Sequence, residues 1–180
     1  QLINSENLHI RCTLCKIRSY SFCRCLHDSE LKVFQEISTE KKYENNRNIF
    51  LQQDKSVNLF NITEGNVKIY QLLNDGRIQI IGFLYPGDFF GSYKNGKYNY
   101  SADAIGNVRV CVFDQEKLDK YIEKNMSLAK ELLHLTSHEL TLAQDRISVL
   151  GKFSATERLA KFIFNISEQR KRIGWKNNPI

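Results

Sequence analysis

The 180-residue sequence has no apolar run long enough to cross a bilayer and no signal peptide, so it predicts neither a membrane span nor secretion. It has no Gly-rich phosphate loop of the G-x-x-x-x-G-K type. No Ser/His/Asp set or pair of carboxylates gathers in one motif, which leaves nucleophilic and acid–base catalysis without a visible apparatus and predicts a protein that is not an enzyme. Its cysteines number five, an odd count that does not suit a disulfide framework and fits a reducing, cytoplasmic compartment. The chain begins at Gln1 rather than Met and ends at Asn177-Asn-Pro-Ile180 with no evident closing element; it reads as a fragment.

What is present is concentrated near one end. Arg11-Cys-Thr-Leu-Cys-Lys-Ile-Arg-Ser-Tyr-Ser-Phe-Cys-Arg-Cys25 holds four of the five cysteines. Cys12 and Cys15 form a C-x2-C pair whose thiolates can turn toward one metal or cluster. Cys23 and Cys25 follow, and Cys111 lies far along the chain in the apolar run Val108-Arg-Val-Cys-Val-Phe113. Three clustered ligands and a remote fourth are a pattern of iron–sulfur proteins. Arg11, Lys16, Arg18 and Arg24, with no acidic residue in the stretch, are expected to favour thiolate over thiol. Zinc is the alternative for a C-x2-C, but the second group here is a C-x-C with poor spacing. Taken alone, Cys111 would be read as an ordinary buried thiol.

Charge adds a second asymmetry. The formal net charge is +6, and from Lys152 onward seven basic residues face only Glu157 and Glu168, which hints at a polyanionic partner or a solvated face.

Along the chain, Asp28 or Ser29 is expected to cap a short helix through Leu31, Phe34 and Ile37. Strand-like runs follow at Ile49–Leu51, Val57–Ile62, Val67–Tyr70, Ile78–Ile81 and Val108–Phe113. Glu64-Gly65-Asn66 and Asn74-Asp75-Gly76 read as tight turns between them, and Gly87 to Gly96 as a surface loop after Pro86-Gly87-Asp88. The pattern predicts an α+β chain built on a small antiparallel β-barrel or sandwich. Asp114 should cap a helix through Leu118 and Tyr121, and Ser127 should open a longer one to about Leu150. In that helix Leu133, Leu140 and Ile147 recur every seven residues with Thr136, Ala143 and Leu150 between them, an a/d seam that invites a second copy of the helix. Leu128, Leu132, Leu135, Leu142 and Val149 form a stripe largely opposite, expected to pack on the chain's own barrel; burial of the whole helix within one subunit is the alternative. His134 and His138, four apart, read as exposed surface more readily than as a metal pair. Ser154-Ala-Thr-Glu157 reads as a capping box, with Leu159, Phe162, Ile163 and Ile166 at helical spacing after it, a hinge at Gly151 to Ser154, and a stop near Arg170-Lys-Arg-Ile-Gly174 before a tail bearing Trp175. The expected divisions are a cysteine segment (1–27), a sensor domain (28–126), a dimerisation helix (127–152) and the start of a further domain (153–180).

Taken together, Cys12-x2-Cys15-x7-Cys23, the Asp75-Gly76-Arg77 hairpin, Tyr85-Pro-Gly-Asp-Phe-Phe-Gly91, Cys111 on a late strand and Thr156-Glu-Arg-Leu-Ala160 after the long helix resemble the CRP/FNR family of bacterial transcription regulators, and within it the FNR-like, oxygen-responsive iron–sulfur subgroup of the FnrL/FixK type. The resemblance covers Cys12 to Trp175. It implies a four-iron, four-sulfur (4Fe-4S) cluster on Cys12, Cys15, Cys23 and Cys111, with Cys25 supernumerary. It also implies a cyclic-nucleotide-binding-like jelly roll, a homodimer through the long helix, a winged-helix domain that binds DNA, and RNA polymerase as a partner. In nucleotide-binding relatives a Glu beside a Gly and an Arg-Ser pair hold the cyclic nucleotide; the corresponding residues here are Gly91-Ser92 and Tyr100-Ser101, without the acid or the charge-assisted partner of a phosphate. The helix-turn-helix would follow Trp175, so no base-reading residue falls within these 180 residues. The rival readings are a cyclic-nucleotide or other small-ligand sensor and a small iron–sulfur electron carrier.

Overall fold

The computed structural model describes residues 10–91 and 96–172, without the side chains of residues 10, 146, 149, 150, 152, 169, 170 and 172. The chain forms two compact units, Gln1–Ala129 and Lys130–Ile180.

The first unit begins with α1 (Ile10–Thr13) and two single 3₁₀ turns, Arg18–Tyr20 and Phe22–Cys25, followed by α2 (Asp28–Glu36). The cap of α2 is His27, ahead of both expected caps, Asp28 and Ser29: its backbone N–H donates to Glu30 Oε2 at 2.7 Å. Six strands follow: β1 (Ser38–Tyr43), β2 (Asn48–Phe50), β3 (Asn58–Leu72), β4 (Ile78–Leu84), β5 (Phe89–Phe90) and β6 (Ser101–Asp114). They make one antiparallel sheet in the order β1-β6-β3-β4, with β2 added to β6 and β5 to β3.

Of the barrel or sandwich that the sequence suggested, the antiparallel sheet is present and is not a closed barrel. Closure requires the end strands to pair, and β1 and β4 lie at opposite ends of the order. Two long strands carry the curvature instead: β3 and β6, of 15 and 14 residues, pair with each other through two register shifts around Glu64. Glu64-Gly65-Asn66 is therefore not a turn between two strands but an irregularity inside β3, which bends it. Gly65 has φ 81°, and a Cβ there would collide with the carbonyl oxygen of Asn107. The residue type that marks a turn serves here a close approach of two backbones.

Asn74-Asp75-Gly76 does form the hairpin between β3 and β4: Leu73 N–H donates to Arg77 O at 2.8 Å and Gly76 has φ 84°. The expected loop from Gly87 to Gly96 contains β5, whose Phe90 is buried in the core; Ser92 lies outside the described residues. That core joins Phe50, Phe60, Ile62, Val67, Phe90, Val108, Val110 and Val112 on the concave face of the sheet. Strand β1 (STEKKY) buries only its first residue, so it carries no alternation to read; its pairing with β6 creates it.

After β6, Asp114 Oδ1 accepts from Lys117 N–H at 3.0 Å and caps α3 (Gln115–Ile122) as expected. α4 (Met126–Lys152) opens on Asn125 rather than Ser127: Asn125 Oδ1 accepts from Leu128 N–H at 2.9 Å. Leu128 is fully buried in this first unit.

The second unit holds the remainder of α4 and α5 (Ala155–Arg172), separated by Phe153 and Ser154. The capping box forms, with Ser154 N–H donating to Glu157 Oε2 at 2.8 Å and Glu157 N–H to Ser154 Oγ at 3.4 Å. Along α4 the seam residues are exposed, Leu133 at 68%, Leu140 at 59% and Ile147 at 71%, together with Thr136 and Ala143, whereas Leu132, Leu135 and Leu142 are half-buried. The side chains of Val149 and Leu150, and the tail with Trp175 and Lys176, lie outside the described residues. No described helix is long and apolar enough to cross a membrane.

Candidate metal centre

Alternation along β6 determines where Cys111 sits. Val108, Val110 and Val112 enter the concave core, so Arg109, Cys111 and Phe113 occupy the other face. There Phe113 meets Phe22 of the cysteine segment edge-on, ring centroids 5.5 Å apart, and Phe34 of α2 at 4.9 Å. Phe22 also meets Phe34 and Phe89 at 5.9 and 6.0 Å and is fully buried. A short segment with little regular structure is held by one aromatic side chain pressed into a ring of three. Gly87 helps: at φ 95° it lies so close to Tyr20 that a Cβ would stand 3.0 Å from the Tyr20 carbonyl oxygen.

Polar contacts set the entry of the segment. Arg11 Nη2 donates to Ser38 Oγ at 2.6 Å and to Ser38 O at 3.3 Å. Cys12 N–H donates to Gln35 Oε1 at 3.1 Å, and Ser38 Oγ donates to Gln35 O at 3.2 Å. Gln35 and Ser38 are both buried. In β1, Ser38 lies opposite Phe113 and Glu40 opposite Cys111, so this network ties Cys12 to the strand beside Cys111. The sequence reading missed Gln35 and Ser38; no local pattern distinguishes a buried Gln at the end of a helix from an exposed one.

The thiols fall into two groups. Ionisation of Cys23 is opposed first by burial and then, beyond a hydrogen bond from Ser21, by the charges of Cys111, Cys12 and Cys15. That of Cys111 is opposed by burial, eased by Arg11, and opposed by Cys12, Cys15 and Glu40. These four thiols share one electrostatic neighbourhood, although one of them comes from the opposite end of the first unit's sequence. Cys25 turns elsewhere: its Sγ donates to Phe22 O at 3.3 Å and its charge acts on Tyr121.

Burial decides the protonation states, and here the sequence expectation is overturned. The basic residues were expected to favour thiolates, yet desolvation pushes Cys12 and Cys23 up and Cys111 to about 12, with Arg11 and Arg18 offsetting only part of it. Without a bound cation these thiols stay neutral. Among the described residues no three His, Cys, Asp or Glu side chains converge as a single metal ion requires. His134 and His138 are both exposed.

Of the positions corresponding to a nucleotide phosphate site, Gly91, Tyr100 and Ser101 make hydrogen bonds within the protein. Gly91 N–H donates to Tyr100 Oη at 3.1 Å, and the buried Ser101 accepts from Gln52 N–H at 2.9 Å.

Residues 40–125 match the family described as the cyclic nucleotide-binding domain. The chain is 36% identical over 158 residues to the nitrogen fixation regulation protein FixK of Bradyrhizobium diazoefficiens, covering 88% of this chain and 67% of that protein. It is 32% identical over 170 residues to the fumarate and nitrate reduction regulatory protein of Escherichia coli, covering 93% and 68%. The solved structure of FixK2 from Bradyrhizobium japonicum superposes with a TM-score of 0.69 at 30% identity, over 74% of this chain and 67% of that one. The chain thus spans about two-thirds of the length of these relatives. With the sheet, the hairpin and the long helix all as such relatives require, the chain belongs to the CRP/FNR family of transcription regulators.

Proposed function

We propose that this chain is the sensory and self-associating part of an oxygen- or redox-responsive transcription regulator, in which Cys12, Cys15, Cys23 and Cys111 hold a 4Fe-4S cluster. The observation that carries the reading is that Cys12, Cys15 and the sequence-remote Cys111 all act on Cys23, on the face of β6 where the cysteine segment docks.

The donor chemistry fits. All four donors are sulfur, the ligand type that holds iron–sulfur clusters. Buried thiols that stay neutral alone become thiolates when metal is bound. Arg11 Nε is buried with no hydrogen-bond partner among the described residues, a donor next to Cys12 in the chain. A cluster bound there would supply an oxygen-labile centre.

The protein's own residues then do the signalling. Metal ligation adds to Phe22 and the Arg11–Ser38–Gln35 network in holding residues 11–25 against β1 and β6, and loss of ligation leaves those contacts alone to hold them. The output is the a/d seam of α4, in which Leu133, Thr136, Leu140, Ala143 and Ile147 are exposed and Leu150 is the next position, and which pairs with a second copy. DNA is engaged through a winged-helix domain of which α5 is the first helix. RNA polymerase is the further partner and the cytoplasm the compartment. The divisions 1–27, 28–126, 127–152 and 153–180 correspond to cluster binding, sensing, dimerisation and DNA-domain entry.

The decisive experiment is anaerobic purification with iron and acid-labile sulfide analysis, then a visible spectrum before and after air. Iron and sulfide with an air-bleached absorbance support the reading; a protein without iron that binds a cyclic nucleotide saturably overturns it. The family match favours that second reading, while the Gly91–Tyr100 hydrogen bond opposes it.

A further inference from the structure

We infer that Arg11 is a positioning residue for the thiolate centre: two of its N–H donors fasten the first ligand, Cys12, to β1, and its remaining buried donor and its charge serve the thiolate sulfurs. The inference rests on the reading of Cys12, Cys15, Cys23 and Cys111 as cluster ligands.

The fastening is a closed ring of contacts. Arg11 Nη2 gives both bonds to Ser38, one to the hydroxyl and one to the main-chain oxygen. The Ser38 hydroxyl donates a hydrogen bond to Gln35 O, and the Gln35 side chain accepts from Cys12 N–H. Cys12 is thereby referenced to Ser38, two residues before Glu40, which pairs across from Cys111. The remote ligand and the first ligand are set against the same strand.

The charge is the second half. A guanidinium has five N–H donors in a fixed fork, and with Nη2 committed to Ser38, Nε is buried with no partner among the described residues. Hydrogen bonds and positive charge near cluster sulfurs raise the reduction potential and retain the cluster. Arg18 is committed elsewhere, its guanidinium shared between Asp28 and Leu26 O.

The test compares Arg11→Gln, Arg11→Lys and Ser38→Ala with the unchanged protein after anaerobic loading, reading iron content, reduction potential and the lifetime of the visible absorbance in air. Arg11→Gln should lower the potential and shorten the lifetime about tenfold. Arg11→Lys should restore the potential but not the lifetime, because charge returns without the fork. Ser38→Ala should shorten the lifetime and leave the potential in place. In iron-free protein, Arg11→Gln and Ser38→Ala should both speed proteolysis within residues 11–25. An Arg11→Gln protein with unchanged potential and lifetime, beside a normally loaded parent, overturns the inference, as does unchanged proteolysis of the iron-free variants. A parent that takes up no iron or sulfide overturns the cluster reading itself, which is a separate outcome.

Discussion

Phe22 stands edge-on to Phe113 with ring centroids 5.5 Å apart and an interplanar angle of 61°, joining the cysteine segment to the strand that carries Cys111. Phe22 is the only large apolar anchor between Cys15 and Cys25 that is fully buried. Its removal leaves a cavity among Phe34, Phe89 and Phe113, so Phe22→Ala should cost about 3–5 kcal/mol of stability. Thermal unfolding of the iron-free protein gives the stability change, and iron content after anaerobic loading should fall with it. Full iron retention would show that the ligands alone hold the segment.

Serine substitutions separate ligands from bystander. Changes at Cys12, Cys15, Cys23 or Cys111 should each abolish the air-sensitive absorbance, while Cys25→Ser keeps it, because Cys25 faces Phe22 O and Tyr121. If Cys25→Ser empties the site and Cys23→Ser does not, the third ligand is misassigned by two residues.

Two apolar positions on α4 should behave oppositely. Ile147 is 71% exposed in the single chain, so Ile147→Glu should leave each subunit folded while placing an unpaired charge in the seam, a penalty of several kcal/mol if two copies meet there. Sedimentation should show a monomer with its cluster intact. Leu128, fully buried, should instead cost about 2–5 kcal/mol of subunit stability on truncation to Ala. An unchanged dimer for Ile147→Glu would rule the seam out.

Tyr100 offers a pH signature. Burial raises its phenol above the ordinary value of 10.0, with the Gly91 hydrogen bond opposing the rise. Below about pH 10 both the folded and unfolded chains keep the proton, and this group adds no pH dependence. Above it the unfolded chain releases the proton first, so stability falls as pH rises. Tyr100→Phe should flatten that alkaline limb. It also leaves Gly91 N–H without its acceptor, at a cost of about 1–3 kcal/mol near neutrality if the amide stays buried.

The sequence by itself determined the features that depend on local chemistry: the Asp75-Gly76 hairpin, the caps at Asp114 and Ser154, the heptad of α4 and the clustered cysteines. Each is a short-range pattern whose energy is settled within a few residues. Alternation in Val108–Phe113 also carried more than was read from it, since it already put Cys111 and Phe113 on one face. Tertiary structure decided the rest. Glu64-Gly65-Asn66 became a bend within β3, because Gly65 is needed where the Asn107 backbone comes close. STEKKY became β1 through pairing with β6 and not through any pattern of its own. Cys12, Cys23 and Cys111 favour the neutral thiol over the thiolate, because desolvation outweighs the nearby basic residues once the segment is docked. Burial and long-range pairing are properties of the assembled chain, and no count of charges along fifteen residues contains them.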